Sequence, residues 1–194
     1  GKKIWFQRLS FVGELGWEIY VPKKISNKIF DIIKKYGKKF NLGYSGMHTL
    51  DILRLEKKFL HWGHDITSEN NPIEAGLSFA VNLEKKGGFI GKDSIEKILK
   101  KPVERKLQLF SLKDHFLPGK PLLLHDEPIF FNNKIVGSST SSNYSFYYKK
   151  NICLAYVANG FENQGLSLEV EGKKYPIKLE KEPLHDPKST MMRN

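Results

Sequence analysis

Glu14 lies in the stretch Phe11-Val12-Gly13-Glu14-Leu15-Gly16-Trp17-Glu18-Ile19-Tyr20-Val21-Pro22, between two glycines. Gly13 and Gly16 stand where only glycine bends cheaply, so the turn holds the carboxylate on a short, stiff corner. A fixed carboxylate is an acceptor for a flat heterocycle that offers two N–H donors. Its charge strengthens such bonds, and a rigid corner lowers the cost of ordering them. On these residues alone the favoured reading is a turn glutamate facing water. About forty residues on, Leu53-Arg54-Leu55-Glu56-Lys57-Lys58-Phe59-Leu60-His61-Trp62-Gly63-His64-Asp65-Ile66 carries two more candidates. The planar fork of Arg54 suits a substrate carboxylate, or a pairing with Glu56 or Asp51 at a helix surface. The Trp62 ring suits covering a flat ligand, or filling a core.

Other residue types point to less. His61-x-x-His64 with Asp65 supplies no third and fourth ligand at a recognisable spacing, so no metal site is expected. His48, His115, His125 and His185 have no triad partner in the sequence. The single cysteine, Cys153, sits in Ile152-Cys153-Leu154-Ala155-Tyr156-Val157 and reads as a small buried hydrophobe, at home in a reducing compartment. Gly87-Gly88 and Gly91 do not form a dinucleotide fingerprint.

The elements that must position these groups change character along the chain. Ile4 to Ser10 reads as a strand, and from Trp17 the alternation of Trp17, Ile19 and Val21 with Glu18 and Tyr20 predicts a second, half-buried one. Ile25, Ile29, Phe30, Ile32, Ile33 and Tyr36 recur at helical spacing, predicting a helix packed by one face and stopped at Gly37. Ser45 is a plausible cap for a second helix, with Arg54 at the edge of its buried stripe. Leu77 to Leu83 alternates as a strand, and a third helix runs from about Lys92 to Pro102. From Val103 short strands are expected at about 104–112, 121–124, 128–131, 134–140, 152–157, 166–171 and 174–180. Asn132-Asn133 and Glu171-Gly172 suit hairpin turns, and the Ser-, Asn- and Tyr-rich segment 138–150 reads as an exposed loop or edge strand. The fold class is therefore α+β: a mixed domain of antiparallel sheet with helices over 1–101, then a small all-β, barrel- or jelly-roll-like domain over 102–194.

Composition bounds the function without choosing it. The 194 residues are 40% hydrophobic, enough for one large or two small cores, and no run approaches a membrane span. A net charge of +11 suits an anionic small molecule, nucleic acid or a membrane surface. The lysines are scattered, without an arginine-rich run, so a solvated basic surface is the expectation, with neither nucleic acid nor membrane as partner.

The two glutamate- and arginine-bearing stretches recur in order with Asn71-Pro72-Ile73-Glu74-Ala75-Gly76-Leu77, Gly88-Phe89-Ile90-Gly91-Lys92 and Pro183-Leu184-His185-Asp186-Pro187-Lys188. Together they resemble the folate-binding glycine cleavage T-protein family, which comprises aminomethyltransferase and the C-terminal half of dimethylglycine and sarcosine dehydrogenases. The wording Glu56-Lys57-Lys58-Phe59-Leu60-His61-Trp62-Gly63-His64-Asp65 looks closer to the dehydrogenase-type members. The resemblance implies tetrahydrofolate as cofactor, with Glu14, Arg54 and Trp62 as folate-binding residues and Glu14 meeting the pterin. It departs at Leu50, where aminomethyltransferases carry a further arginine. The family's catalytic aspartate lies upstream of Glu14, so no catalytic residue is carried over. The chain is expected to be a C-terminal fragment, inactive alone, of a protein that forms 5,10-methylenetetrahydrofolate from an N-methyl amine. Its partner would be the parent's N-terminal domain, with any FAD in a separate upstream domain. The compartment would be the cytoplasm, or the mitochondrial matrix in a eukaryote. A non-catalytic folate-binding or regulatory module is the alternative.

Overall fold

The computed structural model describes residues 3–193. Strands β1 (Trp5–Gln7) and β2 (Glu18–Tyr20) form an antiparallel two-stranded ribbon, and the Gly13–Glu14 corner lies in the connection between them. Helices α1 (Ser26–Gly37), α2 (Met47–Glu56) and α3 (Lys92–Leu99) follow. Helix α3 matches the periodicity and buries Ile95.

Four expectations for this part need correction. The ribbon is not half-buried, since Trp5, Trp17 and Tyr20 are all exposed. Helix α1 is amphipathic as predicted but buries no residue among those described, and Phe30, Ile33 and Tyr36 stay exposed. A period of 3.6 specifies that a face needs cover and not what supplies it. Residues 77–83 form a 3₁₀ turn at Ser78–Ala80, with Phe79 exposed, because the alternation meets no partner strand. Helix α2 is capped by Gly46, with no side-chain cap bond, and not by Ser45.

Six antiparallel strands then close into a barrel in the order β3-β6-β5-β4-β7-β8: β3 (Arg105–Leu112), β4 (Pro128–Phe131), β5 (Lys134–Ser145), β6 (Lys150–Ala158), β7 (Leu166–Val170) and β8 (Lys173–Glu180). Pairing of β8 back to β3 removes the free edges. Asn132 and Glu171-Gly172 take the positive φ that their hairpins require, at 54°, 50° and 74°.

Strand β6 explains how the two parts join. Cys153, Ala155 and Val157 point into the barrel core with Phe110, Ile129, Leu168 and Ile177. Ile152, Leu154 and Tyr156 point outward into a second core with Leu55 of α2 and Leu107 and Leu109 of β3. Burial on both faces is why this strand reads as an unbroken apolar run. Cys153 is fully buried, and burial pushes its thiol far above its ordinary value, which leaves it inert.

Two strand expectations also change. Residues 121–124 are irregular, and 138–150 is not an exposed loop: β5 runs through a bulge at Ser139/Ser141 to Ser145 before a turn at 146–149. Its serines misled because each buried hydroxyl has a charged partner. Ser139 bonds Glu127, Ser141 bonds Arg54 and Ser145 bonds Glu56.

Candidate functional site

The corner that carries Glu14 is built on α2. The Ser10 hydroxyl accepts the backbone N–H groups of Gly13 at 3.1 Å and Val12 at 3.4 Å, which closes the turn. Gly13 has φ of 82°, and a Cβ there would lie 2.8 Å from Lys57 Cδ. A Cβ on Gly16 would lie 2.6 Å from the Leu9 carbonyl oxygen. Both glycines are therefore required, one by backbone conformation and contact, the other by contact alone.

Lys57, the residue beneath Gly13, is buried and ends its own chain elsewhere. Its ammonium donates to the carbonyls of His185 and Asp186 and lies 3.4 Å from the Asp186 carboxylate. Burial alone would push the Asp186 carboxyl up. Hydrogen bonds from the Thr190 hydroxyl, the N–H groups of Thr190 and Met191, and Lys57 outweigh it and hold the group well below the usual carboxylate range. The segment 183–191 is thus fastened to α2, and the His185 N–H also donates to the Glu56 carbonyl at 3.0 Å. From there the His185 ring reaches Glu14: Nε2 lies 2.6 Å from Oε1. The Glu14 side chain remains 45% exposed, so the rest of its carboxylate faces solvent.

Arg54 is 1% exposed and tied on every side. Its Nε donates to Asp51 at 2.7 Å, one terminal nitrogen to the Phe59 carbonyl and to Asp65, and the other to Ser141 Oγ at 2.7 Å. Asp65, also buried, accepts the His61 N–H at 2.8 Å and the Thr140 hydroxyl at 2.6 Å. The guanidinium therefore joins α2, the 59–66 stretch and β5 of the barrel. Of the pairings read from the sequence, Asp51 is present and Glu56 is not, and the site is interior rather than at the helix surface.

Trp62 is 66% exposed and makes a single bridge to Ile66, so it does not fill a core. Phe11 packs on Phe59, with ring centroids 6.4 Å apart, and on His61 at 6.1 Å, which brings the glycine corner against the stretch that carries Trp62. On the barrel side Arg54, Asp51, His48, His61, His64 and His125 help line a cavity of about 390 Å³. Despite these imidazoles, no group of three or more ligating side chains able to hold a metal occurs among the described residues.

The structure thus ties Glu14 and Arg54 to one end of α2, Arg54 as a buried joint and Glu14 partly open to solvent, and leaves Trp62 exposed in the 59–66 stretch against which Phe11 packs. Lys57 escaped the residue-by-residue reading, and His185 entered it only as a histidine without a triad partner. The Pro183–Lys188 motif marked the segment, and nothing in its spacing says that it returns to Glu14.

Two family models match the chain, "GCVT N-terminal domain" over residues 1–85 and "Glycine cleavage T-protein C-terminal barrel domain" over residues 105–186. The chain belongs to the glycine cleavage T-protein family. Mitochondrial dimethylglycine dehydrogenase of Homo sapiens is 36% identical over 179 residues, covering 91% of this chain and 20% of the relative. The mitochondrial pyruvate dehydrogenase phosphatase regulatory subunit of Mus musculus is 33% identical over 157 residues, covering 81% of this chain and 18% of that one. The crystal structure of the glycine cleavage system aminomethyltransferase T from Bartonella henselae superposes with a TM-score of 0.83 at 23% identity, over 96% of this chain and 51% of that one, a likeness of fold. The T-protein-like chain therefore spans about a fifth of the first two relatives and about half of the third. Among its described residues no helix is long and apolar enough to cross a membrane.

Proposed function

We propose that this chain is the C-terminal part of a tetrahydrofolate-dependent one-carbon transfer protein, the tail of a dimethylglycine or sarcosine dehydrogenase-like enzyme. The observation that carries this reading is the Glu14 carboxylate, fixed on a corner over Lys57 yet open to solvent on one side. An oriented, charged acceptor fits the 2-amino group and ring N–H of a pterin, and a preorganised one binds them without first being ordered. Trp62, exposed beside the corner's aromatic contacts, offers a face to a flat ring or benzoyl group. Arg54 supports the site chiefly from within, since its donors are already engaged.

Tetrahydrofolate, met by Glu14 and Trp62, would supply the acceptor for a one-carbon unit that an upstream flavin domain has first oxidised by two electrons from the N-methyl to the methylene level, and the demethylated amine would leave. The residues of this chain bind and orient, and the proton-handling aspartate and any FAD belong to upstream domains of the parent. The uncovered apolar faces of α1 and of the β1–β2 ribbon support an N-terminal domain as partner. The cytoplasm, or the mitochondrial matrix in a eukaryote, is the compartment that goes with this reading. Full-length protein supplied with an N-methyl amine, an electron acceptor and tetrahydrofolate should form methylenetetrahydrofolate, and this chain alone should form none. Product from the isolated chain, or none from full-length protein that binds folate and oxidises the amine, would defeat the proposal.

A regulatory, folate-binding module is the second reading, favoured by the relative whose name is that of a phosphatase regulatory subunit. Folate binding without any product, in protein that lacks an upstream aspartate-bearing domain, would select it.

A further inference from the structure

We propose that His185 is a positioning residue of the ligand site, holding the Glu14 carboxylate in the orientation that a donor-bearing ring meets. This rests on the folate reading above and adds to it a residue from the far end of the chain. The geometry is built rather than incidental. Lys57 packs its stem beneath Gly13, the residue before Glu14, and aims its ammonium at the carbonyls of His185 and Asp186. One buried side chain therefore sets the spacing between the two segments whose side chains meet.

The partners of the imidazole fix its roles. Nε2 lies 2.6 Å from a carboxylate oxygen, which can only accept, so Nε2 carries the proton and donates. In the neutral ring Nδ1 is then the acceptor, and the Tyr148 hydroxyl stands 3.3 Å from it as donor. Burial, then the nearby Glu56 carboxylate and Tyr147, push the Tyr148 phenol up and keep it protonated. The charged and titratable groups around the ring are thus Glu14 from the glycine corner, Glu56 from the last position of α2, Lys57 just after it, Tyr148 from the turn after β5, and Asp186 beside it.

A carboxylate oxygen has two lone pairs, so the His185 bond to Oε1 leaves both Glu14 oxygens able to accept from a ligand. What the bond removes is rotation. A glutamate on a fixed corner still turns about its own side-chain bonds, and a second anchor at the oxygen selects one arrangement before the ligand arrives. His185 acts through Glu14 and touches no ligand in this account.

The test is a double-mutant cycle in the full-length protein, with calorimetric titration of tetrahydrofolate and a thermal melt for every variant. His185→Phe removes the donor at similar size and should weaken binding roughly fivefold, as the loss of one net hydrogen bond does. In a Glu14→Ala background the same substitution should weaken it less than about twofold, because His185 then has no side-chain acceptor to hold. His185→Gln keeps an N–H donor and should return affinity to within about twofold of wild type. An equal loss in both backgrounds, with a matching fall in melting temperature and no recovery in His185→Gln, would mark His185 as merely structural and overturn the proposal. So would unchanged affinity in His185→Phe when the wild type binds. If His185→Phe does not fold, a full loss of binding in folded His185→Gln overturns it. Failure of the wild type itself to bind tetrahydrofolate would instead overturn the folate reading, and with it this role.

Discussion

Arg54 and Glu14 are both charged residues near one end of α2, and burial separates their work. Arg54 exchanges its hydration for four protein partners, of which buried Asp65 matters most. Removing one member of a buried pair leaves the other charge uncompensated, which is costlier than never having had the pair. Arg54→Met should therefore destabilise the fold by about 3–5 kcal/mol, read from urea unfolding. A loss under about 1 kcal/mol would place the guanidinium in solvent-like surroundings instead. Glu14, nearly half exposed, carries no such burden, so its replacement should be felt by ligand and hardly by stability.

At the scale of elements, α2 is the hub, because Leu55 enters the second core while Arg54, Glu56 and Lys57 each fasten a different segment. Burial pushes the Glu56 carboxyl up, more than the Ser145 hydroxyl and the His185 ring pull it down. The folded state then holds that proton more tightly than the unfolded chain, so this group erodes stability as pH rises from its ordinary value through the raised one. For Glu74, Glu180 and Asp186 burial is outweighed by hydrogen bonds and cations, their values fall, and their contribution is lost as pH drops below the ordinary carboxylate range. Glu56→Gln keeps an acceptor for Ser145. It should flatten the decline on the alkaline side, raise stability at neutral pH, and leave the acid limb unchanged, in denaturation curves from about pH 3 to 8. A loss that grows as pH rises would show instead that Glu56 contributes as an anion.

How much of these elements the chain announced depends on where each finds its partner. Helix α3 and the hairpins at Asn132 and Glu171-Gly172 are local, set by periodicity and backbone preference, and they stand where the residues predict. The serines of β5 looked like a loop because their charged partners, Glu127, Arg54 and Glu56, come from elsewhere in the chain. The apolar stripe of α1 was legible as a stripe, and its cover was not. Glu14 stood out by its two glycines. Its neighbour His185, 171 positions away, could be marked only as part of a motif.

For the whole molecule, a closed barrel with two-sided β6 provides a rigid base, and the ribbon and α1 present apolar surface that the described residues leave open. The proposed recognition chemistry lies at the seam between these parts, where the end of α2 carries the glycine corner and the C-terminal segment together. The central claim is that Glu14 is the pterin anchor at that seam. Calorimetric titration of tetrahydrofolate into full-length wild type and Glu14→Gln, with a melt of each, tests it most directly. A charge-assisted hydrogen bond is worth roughly 1.5–3 kcal/mol net, so Glu14→Gln should bind roughly tenfold to a hundredfold more weakly. Its stability should stay within about 0.5 kcal/mol of wild type. Unchanged affinity would remove Glu14 from the site, and an equal loss of affinity and stability would make it a structural residue with only an indirect effect on folate.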